Sequence, residues 1–377
     1  MMEQNPLKKF RGLEITMENI RMEEQLLPEG YDASELPYKP LDYFKQYGFK
    51  VSSAFPEIYK RCNGIESDKY IPASLYFYYI SPYLVNMNLS MAYVDKNMYF
   101  RHFPYVRQPK TIFHNMSGRF YTEEMQEVTF DEAVETLNVK ERFIVKPSIE
   151  SGRGRDVKML SGGGKIEIEN TLKDYESNYI IQEVVKQHPE MGRLNHTSLN
   201  TCRLYTYRRV GTSDYMLLGA AVRFGGKGAY RDNACTGGGF CKINDDGNVE
   251  DAIHNYRRFG WGSLKTEKGL EGLHIPNYDK VLETALRLHK TIPYMDLIGW
   301  DIAVDEEGEP VLIELNQYPD CEFLQIFNGP MFGEYTDELL ERISKHHIEA
   351  VTVYKRSFEN GPKQYEYNFE VGKAYSI

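Results

Sequence analysis

The chain has 377 residues, 41% of them apolar and 27% charged, values of an ordinary globular protein that exclude a disordered or fibrous chain. Its 45 Lys and Arg against 55 Asp and Glu leave a net charge of −10, so the basic field that nucleic-acid binding requires is missing, while a small anionic ligand stays open. Five cysteines without a C-x-x-C pair fit neither a disulfide framework nor a zinc site, and they point to a reducing, cytoplasmic setting.

The opening residues lack the apolar run of a signal peptide, and the most apolar stretch, 71–85, is broken by Ser74, Ser81 and Pro82. It is too short for the ~20 residues of a membrane span, so no span is expected. A chain this long should divide into two or three lobes.

Residues 1–94 read as a helical and irregular lobe, because prolines at 28, 37, 40, 56, 72 and 82 limit helix length. Tyr and Phe are dense between Tyr38 and Tyr83; a sugar-stacking surface is one reading, and packing onto a neighbouring lobe is the favoured one. From Val94 the texture turns to short β-rich runs punctuated by glycine. A helix is expected over 131–137 with Thr129 as N-cap, then strands at 143–145 and 156–160 around a polar loop, with 161–164 as a hairpin turn. Strands follow at 179–185, 201–208, 215–224, 296–305 and 310–316, and helices at 278–290 and 336–348. The fold class is α+β with antiparallel hairpins. The expected divisions are 1–94, 95–185, 186–325 and 326–377.

The most informative segment is Gly299-Trp300-Asp301-Ile302-Ala303-Val304-Asp305, an acidic turn, and Pro310-Val311-Leu312-Ile313-Glu314-Leu315-Asn316. With Glu307-Gly308 as a two-residue loop, Asp301 falls opposite Glu314 and Gly299 opposite Asn316. One face then carries two carboxylates, an amide oxygen and a position without a side chain, while Ile302, Val304, Val311, Ile313 and Leu315 form an apolar row on the other. Opposed like charges destabilise a ladder, and a cation would resolve the conflict. Oxygen-only donors suit Mg²⁺, which completes its shell with water and phosphate. An exposed acidic hairpin is the plain alternative.

A second segment, Phe143-Ile144-Val145-Lys146-Pro147-Ser148 followed by Ile149-Glu150-Ser151-Gly152-Arg153-Gly154, ends an apolar strand in a lysine and opens into a loop whose glycines allow close backbone approach to phosphate. It is not a P-loop, since G-x-x-x-x-G-K-[ST] is absent. Alone, it would read equally well as a plain hairpin connection.

Together and in order, Asp95-Lys96-Asn97, Gln108-Pro109-Lys110-Thr111, Val145-Lys146-Pro147-Ser148, Ile181-Gln182-Glu183-Val184-Val185 and Asp301, Glu314 and Asn316 resemble the ATP-grasp superfamily. Its D-alanine:D-alanine ligases carry similar D-K, V-K-P-S and D…E-x-N patterns. A closer resemblance, to the sugar-transfer associated ATP-grasp family, rests on 63–72, Lys146-Pro147-Ser148, Gln187-His188-Pro189-Glu190, Asn200-Thr201-Cys202-Arg203 and Asp232-Asn233.

The resemblance implies an ATP-grasp fold of two α+β lobes clasping ATP, beside the N-terminal, mainly helical lobe. It directs Lys96 and Lys146 at the phosphates, lays Ser148, Ser151, Gly152 and Gly154 over them as a lid, and sets Gln182, Glu183 and Val185 against adenine. It puts His188 and Asn200 along the nucleotide, and Asp301, Glu314 and Asn316 on magnesium. Arg203 is the candidate for the charge on the transferred phosphoryl group, with Arg223 and Arg231 as alternatives, because Gly299 stands where the D-alanine ligases have an arginine. Asp232-Asn233 and Gly237-Gly238-Gly239 suit receiving the acceptor or covering the phosphates, with a structural turn as the equal alternative. His346-His347 read as a solvated helix face.

The implied activity is ATP-dependent carboxylate–amine ligation through an acyl phosphate, with ADP and phosphate as products. Its substrates would be a small carboxylate and an amine, one of them linked to a sugar or polysaccharide precursor. The alternatives are a kinase of a small molecule or sugar, and a non-catalytic nucleotide-binding partner of a glycosyltransferase.

Overall fold

Two antiparallel sheets, each backed by helices, carry the chain in this computed structural model, which describes residues 41–49, 51, 53–149, 157–232, 237–255, 258–264 and 270–345. Helix α1 (Ala54–Asn63) ends on Gly64, whose φ of 76° is the left-handed conformation that glycine adopts without strain. Short helical turns follow through His102. The first sheet is built from β1 (Thr111–Met116), β2 (Arg119–Tyr121), β3 (Glu127–Val128), β4 (Arg142–Pro147), β5 (Lys158–Ser161) and β6 (Tyr179–Glu183), in the order β3-β2-β1-β6-β4-β5. Helix α2 (Phe130–Asn138) opens with a complete capping box, Thr129 and Glu132 each satisfying the other's backbone N–H, as the Thr129 N-cap reading anticipates.

Residues 161–164 are not a hairpin turn. Gly162 and Gly163 donate to the carbonyls of Lys140 and Asn138 at the end of α2, and the chain then enters α3 (Lys165–Tyr175). The alternation Lys165-Ile166-Glu167-Ile168 mimics a strand, but Ile168, Thr171 and Leu172 make the buried stripe of a helix. Together α2 and α3 close a small core holding Phe113, Phe120, Leu137, Phe143 and Ile181.

The second sheet comprises β7 (Thr201–Arg208), β8 (Tyr215–Phe224), β9 (Gly239–Ile243), β10 (Ala252–Asn255), β11 (Arg258–Ser263), β12 (Leu297–Val304) and β13 (Pro310–Asn316), in the order β11-β10-β9-β8-β7-β12-β13. Helix α4 (Tyr278–His289) packs on β7, β8 and β12, α5 (Cys321–Asn328) packs on β8 and β9, and α6 (Thr336–Lys345) ends the described chain. Every residue of β12 is buried. Phe44, Phe55, Tyr59, Tyr70 and Tyr76 belong to the same large core as Trp300, and the Tyr76 hydroxyl donates to the Pro319 carbonyl at 2.6 Å. The aromatic-rich early segment therefore packs onto the second sheet, although Phe77 and Tyr79 stay exposed. Among the described residues no helix is long and apolar enough to cross a membrane.

The β12–β13 ribbon departs from a simple hairpin twice. Asp305 N–H donates to Glu309 O, so the loop is the three residues 306–308, with Gly308 at φ 81°, and not Glu307-Gly308 alone. That moves the register by one, giving Val304↔Pro310 and Ile302↔Leu312. A bulge at Ile313 then restores it, so Asp301 faces Glu314 and Gly299 faces Asn316 after all. The apolar row consists of Ile302, Val304, Leu312 and Leu315, all in the large core, whereas Ile313 turns to line the cleft.

Candidate active site

A cavity of about 1050 Å³ lies between the sheets, large enough for a nucleotide with a second substrate. Lys96, Lys146, Gln182, Glu183, Val185, Arg203, Arg223, Asp301, Glu314 and Asn316 all line it, although they come from both sheets and from the turn before β1. Of the other expected residues, Ser148, His188 and Asn200 do not line it, and Ser151, Gly152 and Gly154 fall outside the described residues, as do Arg153, Asn233 and the His346-His347 pair.

The second sheet supplies a row of charges by strand pairing. Asp301 on β12 pairs with Glu314 on one side and with Arg203 of β7 on the other. The Arg203 guanidinium grips Asp301 at both oxygens, with Nη2 to Oδ2 at 2.9 Å, and sits 6.0 Å over the Phe323 ring. Arg223 of β8 adds Nη1 contacts to both Asp301 oxygens at 3.2 and 3.3 Å. Burial pushes the Asp301 carboxyl up, but the two guanidinium groups more than offset this and hold it below the usual carboxylate range. Glu314 accepts from Lys96 Nζ at 2.8 Å. The opposed like charges are thus met by cations of the chain itself, Lys96, Arg203 and Arg223, where the sequence reading looked to a metal ion.

The first sheet supplies Lys146, buried at the cavity end of β4. Burial, and then the neighbouring Lys96 charge, lower its pKa to about 8, with Glu314 pulling the other way. Lys96 is 5% exposed and sits in a one-turn helix whose N-cap Asp95 accepts from Asn97 N–H. Asn97 Nδ2 donates to Asn115 O on β1, and His114 Nδ1 lies 3.1 Å from Asn97 Oδ1, so buried polar contacts fix the turn to the sheet. Lys96 N–H donates to the Ser148 carbonyl, and Ser148 N–H to the Asn178 carbonyl, both at 2.9 Å. Ser148 thus joins the two lysine segments through its backbone.

At the strand end, Gln182 Nε2 donates to Pro109 O at 3.1 Å, while its buried Oε1 has no hydrogen-bond partner among the described residues. A buried acceptor without a donor at a cavity wall is a place where a ligand N–H is favoured. His188 instead caps a short helical turn, its Nδ1 accepting from Glu190 N–H at 3.1 Å. Asn200 is spent on the fold, donating to Met191 O and Asn195 O at 2.8 Å each and accepting from Ser198.

Asp232, expected with Asn233 near the acceptor, lines the cavity, as do Thr201 and Tyr230, which had no role assigned from sequence. Thr201 could have been found, because a residue two before Arg203 on one strand shares its face. Tyr230 could not, since its hydroxyl donates to Val157 O at 2.7 Å across the cleft, a contact between distant segments.

Residues 161–339, just under half of the chain, match the family described as sugar-transfer associated ATP-grasp. Over that segment the chain is similar to the ATP-grasp family so described, and its own architecture is mixed helix and antiparallel sheet. Among solved structures it is similar to the VanG D-Ala:D-Ser ligase from Enterococcus faecalis, with 10% identity over 70% of this chain and 62% of that one at a TM-score of 0.39. The ATP-grasp ligase PsnB complexed with minimal precursor, Mg and ADP gives 14%, 70%, 62% and 0.41. The D-alanine–D-alanine ligase from Bacillus anthracis complexed with ATP gives 15%, 67%, 67% and 0.37. This chain therefore spans less than two thirds of the length of the VanG and PsnB ligases. No curated protein matches it.

Proposed function

We propose that the protein is an ATP-dependent carboxylate–amine ligase that works through an acyl phosphate. The observation that carries this reading is the convergence of Lys96 and Lys146 with Asp301, Glu314 and Asn316 on one cavity. In the proposed reaction the two lysines hold the triphosphate as point charges, and Arg203 and Arg223 offset charge on the phosphoryl group as it moves. Gln182 and the backbone of 183–185 meet the adenine edge, where the partnerless Oε1 accepts an N–H. Because transfer needs positioning and electrostatics rather than a side-chain nucleophile, this set suffices.

The donor set fits a hard dication: two carboxylates and an amide offer oxygen only. Among the described residues no three His, Cys, Asp or Glu side chains gather at a metal-sized site, so Mg²⁺ held by Asp301, Glu314 and Asn316 would need further oxygen from phosphate and water. When bound, it would supply neutralisation of phosphoryl charge. The description of the matched family, sugar-transfer associated, supports a sugar-linked substrate.

The test is incubation with Mg·ATP, hydroxylamine and a panel of carboxylates that includes amino acids and uronic acids. ADP release with hydroxamate supports the ligase. ADP release with a stable phosphorylated product and no hydroxamate would make the protein a kinase, and no ADP above background on any mixture would overturn both.

A further inference from the structure

Asp232 lines the cavity with Arg203, Arg223 and Asp301, yet phosphate binding gives a carboxylate there no task. Arg223 stands between two acids. Its Nη1 lies 3.2 Å from Asp301 Oδ2, whereas Nη2 comes no nearer than 3.6 Å to Asp232 Oδ1 and donates instead to the Asp232 carbonyl at 3.3 Å. An aspartate placed only to hold Arg223 would meet it in the two-point contact that Asp301 makes with Arg203. The Asp232 Oδ2 accepts from the Thr201 hydroxyl, which fixes the carboxylate on the face that carries Arg203. Its side chain is 20% exposed. Burial, which Arg223 only partly offsets, raises its pKa and makes it a stronger base than a free carboxylate.

We propose that Asp232 receives the ammonium group of the amine substrate and takes from it the proton that must leave before nitrogen attacks, an assignment that rests on the ligase reading. An acyl phosphate is attacked by a neutral amine, and most amines are protonated near neutral pH. One proton passes from the ammonium to the Asp232 carboxylate, and the freed lone pair forms the carbon–nitrogen bond. The bond from acyl carbon to phosphate oxygen breaks, its electron pair leaves with phosphate, and the second nitrogen proton departs on that phosphate. Asp232 then returns its proton to water. Arg223 lies between Asp301 and Asp232, so the proposed base stands one guanidinium away from the carboxylate at the centre of the charge row.

Hydroxylamine is largely unprotonated at neutral pH and needs no base, so it separates this step from the rest. Wild type and Asp232→Asn are compared with Mg·ATP and the carboxylate panel, using hydroxylamine as one nucleophile and free amino acids and 2-amino sugars as protonated ones. The expected result is a fall in the ratio of amide to hydroxamate on the order of a hundredfold in Asp232→Asn. Hydroxamate formed by the variant proves that it is folded. An unchanged ratio overturns the proposal, as does loss of both products in proportion, or a wild type that forms hydroxamate but no amide with any protonated amine. A wild type that forms no hydroxamate at all removes the ligase reading itself, and this assignment with it.

Discussion

The two walls of the cavity treat buried charge in opposite ways. On the second sheet, Asp301 is held by Arg203 and Arg223 of the neighbouring strands, and Glu314 by Lys96 from the turn before β1, so each acid of this wall meets a cation of the chain. On the first sheet, Lys146 is buried beside a second cation, and Glu314 compensates it only in part. The first arrangement is stable without ligand; the second costs stability until an anion arrives. The difference separates residues whose loss should unfold the protein from those whose loss should only silence it.

The sharpest test removes a charge from the compensated wall. Asp301→Asn would leave two buried guanidinium groups without their counterion, and a stability loss of about 3–5 kcal/mol is expected by urea unfolding. If that variant unfolds at the wild-type midpoint, the wall is not an ion-pair scaffold. Glu314 differs in being 25% exposed. Glu314→Gln should keep the fold, at a cost of about 1 kcal/mol. ATP turnover should nonetheless fall about a hundred- to a thousandfold, measured as ADP release. Unchanged turnover would remove Glu314 from the site.

Lys146 gives the reverse pattern. Lys146→Met should bind and turn over ATP at least about a hundredfold less well, while losing no stability near neutral pH. The pH dependence carries the sign: the folded pKa of about 8 lies below the ordinary 10.5, so the unfolded chain holds more protons between these values. The wild type should therefore gain stability relative to Lys146→Met as pH rises from 8 to 10.5, by about 3 kcal/mol. Parallel unfolding curves at pH 7 and pH 10 would show that Lys146 is not buried as a charge.

How far the sequence could be read follows from the same contrast. Residues on paired strands were legible, because a period of two and a ladder put Asp301, Glu314 and Asn316 on one face. Even there the arithmetic succeeded through cancellation, since the Gly308 loop shifted the register and the Ile313 bulge shifted it back. Neither is visible in a hydrophobic pattern, and so Leu312, not Ile313, joins the large core, while Val311 is buried outside that cluster. Off the ladders, the resemblance pointed to residues that do not line the cavity. Asn200 and His188 carry the right chemistry for a binding site, but local backbone groups consume it. The helix at Lys165–Tyr175 was hidden by a strand-like alternation, and its buried stripe emerges only from the packing with α2.

The smallest expected effect asks how rigid the compensated wall is. Gly299 sits in the ladder between Asn316 and Tyr205, two residues before Asp301, and its backbone φ needs no glycine. What requires glycine there is space: a Cβ would lie 2.8 Å from Pro319 Cβ and 3.4 Å from Asn316 Cβ. Pro319 is held in turn by the Tyr76 hydroxyl on its carbonyl, so the loop cannot drift away without breaking a buried hydrogen bond. Gly299→Ala should therefore cost about 1–2 kcal/mol by overpacking. Part of that strain should pass to Asn316, lowering ATP turnover by less than Glu314→Gln does. Wild-type stability in Gly299→Ala would mean that the Pro319 segment yields freely. The contrast between a rigid, self-neutralised wall and a wall waiting for its ligand would then have to be drawn from electrostatics alone.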